Sequence, residues 1–150
     1  MKFTIEEFHR NKHDPAEVKA LLAMAAGRPT IEKLAYLMDE FYASNGRTIF
    51  ISLKNGEITG IIGIDYTNRP RGFITHIAVH PNKRKKGIAK LLINHATTVL
   101  ELSEIEAETD QDAVSFYEAC GFETKEIESP YAGIRRFRCL KSTLGAVYSG

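Results

Sequence analysis

Cysteine is scarce in this chain of 150 residues. The two cysteines, Cys120 and Cys139, belong to no CxxC pair, and no histidine accompanies them at the spacing of a zinc site. A disulfide framework or a structural metal centre needs more thiols at regular spacings, so the sequence argues against both. We expect two buried thiols and no metal.

Net charge and long apolar runs are lacking as well. Lys and Arg number 20 and Asp and Glu 19, a formal charge of +1, so no global field attracts nucleic acid or anionic lipid. No apolar run approaches the roughly 18 residues of a membrane span. The opening MKFTIEEFHRNKHD also turns polar too early for a secretion signal. We therefore expect one cytoplasmic domain over residues 1–150, with no membrane or nucleic-acid partner.

Periodic apolar segments predict the first half of the fold. The segment KFTIEEF suits a first strand, and Asp14 and Thr30 are caps for two successive helices. Asn55-Gly56, between two strand-like runs, is a strong hairpin signal. The second helix should present an apolar stripe of Ile31, Leu34, Leu37, Met38 and Phe41.

The second half begins with GFITHIAVH, an apolar segment typical of a central strand, which Pro81 should end. Asp112 is predicted to cap a later short helix, and TKEIESP and GIRRFRCL form a closing hairpin. The resulting order is strand, two helices, three strands, helix, strand, helix and two strands, an α/β fold with a mixed sheet. From about Lys85 a helix should bury the stripe Ile88, Leu91, Leu92, His95, Ala96 and Val99.

Positive charge is concentrated in the four consecutive basic residues from Lys83 to Lys86, directly before Gly87. A strand, a loop and a glycine that opens a helix form an anion site, because the first helical amides lack partners and lie at the positive end of the helix dipole. Several phosphates fit this site better than one carboxylate. The alternatives are a solvated charge run and a nucleic-acid patch. Neither GxxxxGK[ST] nor GxGxxG occurs, so the site is not a P-loop or a dinucleotide fingerprint.

Two motifs in the right order resemble a known family. Strand IAV at 77–79, then HP, then RKKGIA at 84–89 fits the pattern [QR]xxGx[GA], and DAVSFYEACGF at 112–122 is similar to the short helix after the fifth strand. Both are features of the GNAT superfamily of acetyl-CoA-dependent N-acyltransferases. The resemblance implies a single-domain fold with a mixed, mostly antiparallel sheet of six to seven strands and about four helices.

The same resemblance implies how acetyl-CoA binds. The pyrophosphate would lie on the amides from Lys85 to Lys90, the pantetheine arm would pair with Ile77 to Val79, and the Val79 amide would polarise the thioester carbonyl. Asp110 stands where many members carry an asparagine that contacts the cofactor, so we do not carry that contact over. The implied cofactor-binding residues are Ile77, Ala78, Val79, Arg84, Lys85, Lys86, Gly87, Ile88, Ala89 and Lys90.

For catalysis, the resemblance implies direct transfer to a primary amine without an acyl-enzyme. Tyr117 would be the general acid for the departing thiolate, although it also falls on the apolar face of its helix with Phe116 and Cys120. An alkylamine with a pKa of about 10.4 must lose a proton before it attacks.

Glu106, Glu108 and His76 are the candidate bases; water or substrate is the remaining option. The two glutamates alternate with small or apolar residues, a pattern that also fits a solvated strand face, and His76 also fits a hydrogen-bonded core histidine.

The leading interpretation is an N-acetyltransferase that acts on a small-molecule or protein amine. One rival is a regulatory module that binds acetyl-CoA without catalysis, and another is a nucleic-acid-binding domain, which the near-zero net charge disfavours. An exposed final strand would be able to pair with a second copy and form a homodimer.

Overall fold

A computed structural model describes residues 3–84 and 87–143. Seven strands form one sheet in the order β1-β2-β3-β4-β5-β7-β6, with the predicted sequence of strands and helices. All neighbouring strands are antiparallel except β4 and β5. The strands are β1 (Thr4–Glu7), β2 (Arg47–Lys54), β3 (Glu57–Asp65), β4 (Arg71–Val79), β5 (Glu104–Asp110), β6 (Glu123–Ile127) and β7 (Arg136–Ser142). The helices are α1 (Pro15–Ala25), α2 (Ile31–Tyr36), α3 (Ile88–Val99) and α4 (Val114–Ala119).

Side-chain caps start the two N-terminal helices as predicted. Asp14 accepts a hydrogen bond from the Ala16 amide before α1, and Thr30 accepts one from the Lys33 amide before α2. After α2 the chain continues as a π-helical turn over Leu37–Phe41. The predicted stripe is wrong at Ile31, which is 85% exposed because it lies in the first turn of α2, beyond the buried pair Leu37 and Met38.

The sheet carries a core on each face. The side chains of β3 alternate between the two cores, since Ile61 packs with α1 and Ile62 packs with α3. Asn55 and Gly56 both have positive φ angles, as the predicted hairpin turn between β2 and β3 requires. The strand β4 is central, with three strands on either side of it, as the apolar run predicted.

Helix α3 packs on the sheet with a different face from the predicted one. The helix begins at Ile88, and Lys85 and Lys86 lie outside the described residues. Leu91 and Val99 are 47% and 51% exposed, which corrects the predicted stripe. The buried face is rotated toward Ile93, so Leu91 falls at its margin, and Val99 is the last residue of the helix. The buried residues are Ile88, Leu92, Ile93 and Ala96.

The predicted cap of α4 is also wrong. Asp112 does not cap this helix, whose N-cap position is Ala113 without a side-chain hydrogen bond. Oδ1 of Asp110 instead accepts hydrogen bonds from the amides of Asp112 (2.9 Å) and Ala113 (3.2 Å). The last residue of β5 therefore organises the turn that leads into α4.

The closing hairpin is present, but its last strand is not exposed. Strand β7 lies between β5 and β6, and β6 is the edge strand. The expectation of an exposed final strand is therefore wrong, because β5 pairs with β7 along its whole length and β6 pairs with it from Arg136 to Leu140. The two predicted buried thiols are confirmed, since Cys120 and Cys139 are free and buried. None of the helices in the described part of the chain is long and apolar enough to cross a membrane.

The orientation of α3 predicts that alanine substitutions at two neighbouring leucines lower the free energy of unfolding by different amounts. Leu92→Ala should lower the free energy of unfolding by about 2–5 kcal/mol, because it leaves a cavity in the core. Leu91→Ala, the matched control on the exposed side of the same helix, should change it by about 0.5 kcal/mol or less. Urea denaturation measures both values, and equal losses would contradict this orientation.

Candidate active site

The central feature of the site is the early separation of β4 and β5. The two strands pair in parallel only where Arg71–Phe73 meets Glu104–Glu106. Beyond these pairs a cavity of about 470 Å³, here called the β4–β5 cavity, lies between the strands. Its lining residues include Thr75, His76 and Ile77 from β4, Glu108, Thr109 and Asp110 from β5, and Phe116 and Tyr117 from α4.

A second cavity of about 600 Å³, here called the α3 groove, continues along the end of β4. Its walls come from the end of β4, the basic loop, the start of α3 and one side of α4. Each described residue predicted to bind the cofactor lines this groove, namely Ile77, Ala78, Val79, Arg84, Gly87, Ile88, Ala89 and Lys90. The predicted contacts of Lys85 and Lys86 lie outside the described residues.

The last residues of β4 direct backbone groups into this space. The His80 amide donates to the Thr59 carbonyl at 2.8 Å, so His80 faces β3. Because backbone groups alternate along an antiparallel strand, Ala78 also faces β3, and Ile77 and Val79 direct their N–H and C=O groups away from it. A hydrogen bond from Nε of Arg84 to the Val79 carbonyl, at 3.3 Å, shows that this carbonyl points toward the basic loop and away from β3. An extended ligand arm can therefore pair with this edge as an added strand would.

Gly87 shapes the other end of the groove. Its φ angle is 74°, in the left-handed region that favours glycine, and its carbonyl accepts the first hydrogen bond of α3 from Leu91 at 3.0 Å. A Cβ atom at Gly87 would meet nothing within 4 Å, so the backbone there is open. The first amides of α3, which have no hydrogen-bond partner among the described residues, and the side chains of Arg84 and Lys90 give this end a positive potential suited to phosphate groups.

The α3 groove and the β4–β5 cavity meet. Ile77 and Phe116 line both of them. A molecule bound along the groove can therefore place one end beside a second molecule in the β4–β5 cavity, which is the arrangement a transfer reaction requires.

Tyr117 is both a core residue and a lining residue of the site. It is 5% exposed and packs edge-to-face against Phe116 and Phe122, so it belongs to the core. It also lines the β4–β5 cavity. Burial, followed by the neighbouring Cys139 and Cys120, raises the pKa of Tyr117 to about 12. The hydroxyl is therefore protonated at neutral pH and can only donate a proton.

The two candidate glutamates of β5 lie in different places. Glu106 stands where β4 and β5 are still paired, opposite Phe73, and accepts a hydrogen bond from Arg138 at 2.8 Å. Glu108 stands beyond the separation and lines the β4–β5 cavity with His76. Glu106 and Glu108 share one face of β5, but only Glu108 lies beyond the point at which β4 separates from β5.

A β-bulge in β4 directs two consecutive side chains of this strand to the hydroxyl of Tyr42. Gly63 pairs with His76 and Ile64 pairs with Ile74, so Thr75 is an extra residue in the strand. Oγ1 of Thr75 and Nδ1 of His76 both lie 2.5 Å from the hydroxyl oxygen of Tyr42. Burial, helped by nearby Lys33, lowers the pKa of His76 to about 4. The ring is therefore neutral at pH 7.

Sequence reasoning did not identify Tyr42 or Thr75 as parts of the site. Tyr42 is separated from His76 by 34 positions and has no recognisable motif around it. A bulge is equally invisible in an apolar strand, because it changes the register and not the composition. Only the pairing of β3 with β4 reveals these neighbours.

The two cysteines and the acidic residues suggest no further chemistry. Burial raises the pKa of both Cys120 and Cys139, which keeps the thiols protonated. Cys120 lines the α3 groove as an apolar group. Within residues 3–84 and 87–143, no cluster of three His, Cys, Asp or Glu side chains is arranged to hold a metal ion.

Comparison with known proteins identifies the family of the chain. The sequence model of the Acetyltransferase (GNAT) family matches residues 18–122, which include the β4–β5 separation, the α3 groove and α4. The chain belongs to this family and is an N-acetyltransferase.

One sequence relative and two solved structures illustrate the similarity. An N-acetyltransferase of Bacillus methanolicus encoded in the lysA 3′ region is 25% identical over 100 residues, 67% of this chain and 82% of the relative. A spermidine N-acetyltransferase chimera from Vibrio cholerae and hSSAT superposes with a TM-score of 0.77 at 19% identity, over 99% of each chain. A Bacillus subtilis acetyltransferase in complex with CoA superposes with a TM-score of 0.69 at 19% identity, over 94% of this chain and 99% of that one.

The low pKa of His76 predicts a particular pH dependence. The ring should stay neutral from pH 8 down to about 5 and titrate near 4, well below the ordinary value of about 6.5. The folded state then binds fewer protons than the unfolded state between these two values, so the stability associated with the neutral ring is present above pH 6.5 and is lost toward pH 4. NMR titration of the ring protons, assigned by their loss in His76→Gln, measures the midpoint. A midpoint near 6.5 would show that the ring is solvated.

Proposed function

We propose that this protein transfers an acetyl group from acetyl-CoA to the primary amine of a small molecule or protein. One observation carries the proposal. The edge of β4 at Ile77 and Val79, which β5 does not cover, leads into a groove that ends at the glycine-capped start of α3. This combination suits a long ligand with an amide-containing arm and a phosphate-rich end.

Acetyl-CoA, the acetyl donor, fits the α3 groove in one orientation. Its pyrophosphate binds the amides at the start of α3, from Gly87 to Lys90, with Arg84 adding a charged donor. From the sequence, Lys85 and Lys86 belong to the same phosphate site. The pantetheine arm pairs with the backbone of Ile77 and Val79. The acetyl thioester then reaches the junction of the two cavities, beside Phe116.

Acetyl transfer is direct. The amine nitrogen in the β4–β5 cavity attacks the thioester carbon, and the Val79 amide stabilises the oxyanion that forms. The carbon–sulfur bond then breaks, and the CoA sulfur leaves with a proton from the Tyr117 hydroxyl. No covalent intermediate on Cys120 or Cys139 is required, which agrees with their raised pKa values.

The attacking amine must lose a proton to a base in the same cavity. Of the three residues that the sequence suggested, Glu108 and His76 line the β4–β5 cavity, and either contacts the amine directly or through water. Glu106 is excluded from this proposal by its position opposite Phe73 and its pairing with Arg138.

Binding of the donor depends on the charge at the start of α3. Lys90→Glu should raise the Kd for CoA by about tenfold or more, because an attractive contact with phosphate becomes repulsive. Lys19→Glu, the same charge change at an exposed position of α1, should leave the Kd unchanged. Isothermal titration calorimetry measures both, and equal effects of the two substitutions would place CoA elsewhere.

Turnover separates an enzyme from a module that only binds acetyl-CoA. The assay follows free thiol from acetyl-CoA with a polyamine, an amino sugar, a peptide with a free N-terminus and a peptide with a lysine side chain. Tyr117→Phe should lower kcat about 100-fold, because it keeps the packed ring and removes the acidic hydroxyl.

Tyr66→Phe is the control for this substitution. Tyr66 follows Asp65, which pairs with Phe73 at the opposite end of β4 from the α3 groove, so kcat should be unchanged. Full turnover of Tyr117→Phe would leave this residue with a packing role only. CoA binding without thiol release from any amine would support the non-catalytic module.

A further inference from the structure

The hydroxyl of Tyr42 is the centre of a polar cluster beside the β4–β5 cavity. It lies 2.5 Å from Oγ1 of Thr75 and 2.5 Å from Nδ1 of His76. The other two members of the cluster line the cavity, whereas Tyr42 does not. The position of the imidazole ring is therefore set by a contact from outside the β4–β5 cavity.

Packing holds the Tyr42 ring in one place. A Cβ atom at Gly63 would lie 1.9 Å from the Tyr42 hydroxyl oxygen, so only glycine leaves room for this side chain against β3. At the other end, the Tyr42 amide donates to the Leu37 carbonyl at 3.0 Å across the π-helical turn. The Phe41 ring packs edge-to-face on it at 4.9 Å. The hydroxyl is thus a fixed point for its two neighbours.

The chemistry of the three groups determines which one donates. A phenol hydroxyl carries one proton and is the most acidic donor of the cluster, with an ordinary pKa of about 10, and the imidazole nitrogen is the most basic acceptor. The strongest arrangement pairs them, with Tyr42 donating to Nδ1 of His76. The Thr75 hydroxyl then donates to the Tyr42 oxygen, and each contact is satisfied in one direction.

We propose that Tyr42 is a positioning residue that fixes His76 in the tautomer with the proton on Nε2, so that His76 presents a hydrogen-bond donor to the β4–β5 cavity and is not the general base. The catalytic part of this inference, that His76 is not the base, rests on the proposed acetyl transfer. The tautomer itself does not depend on that function. Nε2 already carries its proton in this state and has no lone pair to accept another from the amine.

The remaining ionisable groups of the cavity agree with this division of roles. The low pKa of His76 keeps the ring neutral, so at pH 7 one nitrogen is protonated and the other is not. On the opposite wall, Oδ1 of Asp110 is occupied by two amides at the start of α4. Glu108 lines the same wall, and neither of its carboxylate oxygens is hydrogen-bonded within the described residues, so Glu108 is the carboxylate we assign to accept the proton of the amine, directly or through water.

The tautomer can be measured without substrate. In a long-range ¹H–¹⁵N spectrum of the full chain at pH 7, Nδ1 of His76 should show the shift of an unprotonated nitrogen and Nε2 that of a protonated one. His76→Gln supplies the assignment. Tyr42→Phe, which keeps the ring beside Gly63, should move the two shifts toward each other, because the fixed donor is gone. A wild-type ring protonated at Nδ1 would overturn the proposal.

Kinetics provide a second test once an amine substrate is known. The side-chain amide of Gln carries an N–H near the position of Nε2 but is no base, so His76→Gln should be about tenfold more active than His76→Ala. A base role predicts equal losses in the two variants. Tyr42→Phe should lower kcat about tenfold in the wild-type background and have no further effect in His76→Ala.

The two tests fail separately. If no amine is acetylated, the proposed function fails and the NMR result still decides the tautomer. If acetylation occurs and the ring is protonated at Nδ1, only the role assigned to Tyr42 and His76 is wrong. Should Tyr42→Phe not fold, Thr75→Val removes the donor to the Tyr42 oxygen and should weaken the same preference.

Discussion

The parting of β4 from β5 after three residue pairs is the constraint from which the rest of the site follows. A sheet that remained paired would use the backbone groups of Ile77 and Val79 for its own hydrogen bonds and leave no space between the strands. Because the strands separate, this edge is free to bind an extended ligand, and the side chains of Glu108 and His76 face a common cavity. The α3 groove and the β4–β5 cavity are two ends of the same opening, and they meet at Ile77 and Phe116.

The β-bulge at Thr75 adds a second, local departure from regular sheet geometry. In a regular strand Thr75 and His76 would point to opposite faces, whereas here both reach the Tyr42 hydroxyl. Gly63 on the neighbouring strand leaves room for the Tyr42 ring, so the packing of the π-helical turn on β3 and the chemistry of β4 are connected. A change in packing at this point would therefore act on the site through the position of one ring.

Packing and chemistry also coincide in Tyr117. Its ring is part of the core beneath α4, and burial raises the pKa of a hydroxyl that is already protonated over the physiological range. This packing is compatible with the role proposed for Tyr117, because the residue lies in the core and also lines the β4–β5 cavity. Burial likewise raises the pKa of the neighbouring thiols of Cys120 and Cys139.

Local pattern determined the order of strands and helices, the caps at Asp14 and Thr30, the hairpin at Asn55-Gly56 and the glycine-led start of α3, because each depends on residues close together in the chain. Sequence similarity added the family. Only the tertiary structure placed β7 between β5 and β6 and exposed Leu91 to solvent. It also showed that Asp110, and not Asp112, accepts the hydrogen bonds of the turn before α4. Of the two glutamates, it placed Glu108 but not Glu106 in the β4–β5 cavity. It also brought Tyr42 to His76 across 34 positions. These features depend on strand pairing and on contacts between distant segments, whose geometry no local periodicity records.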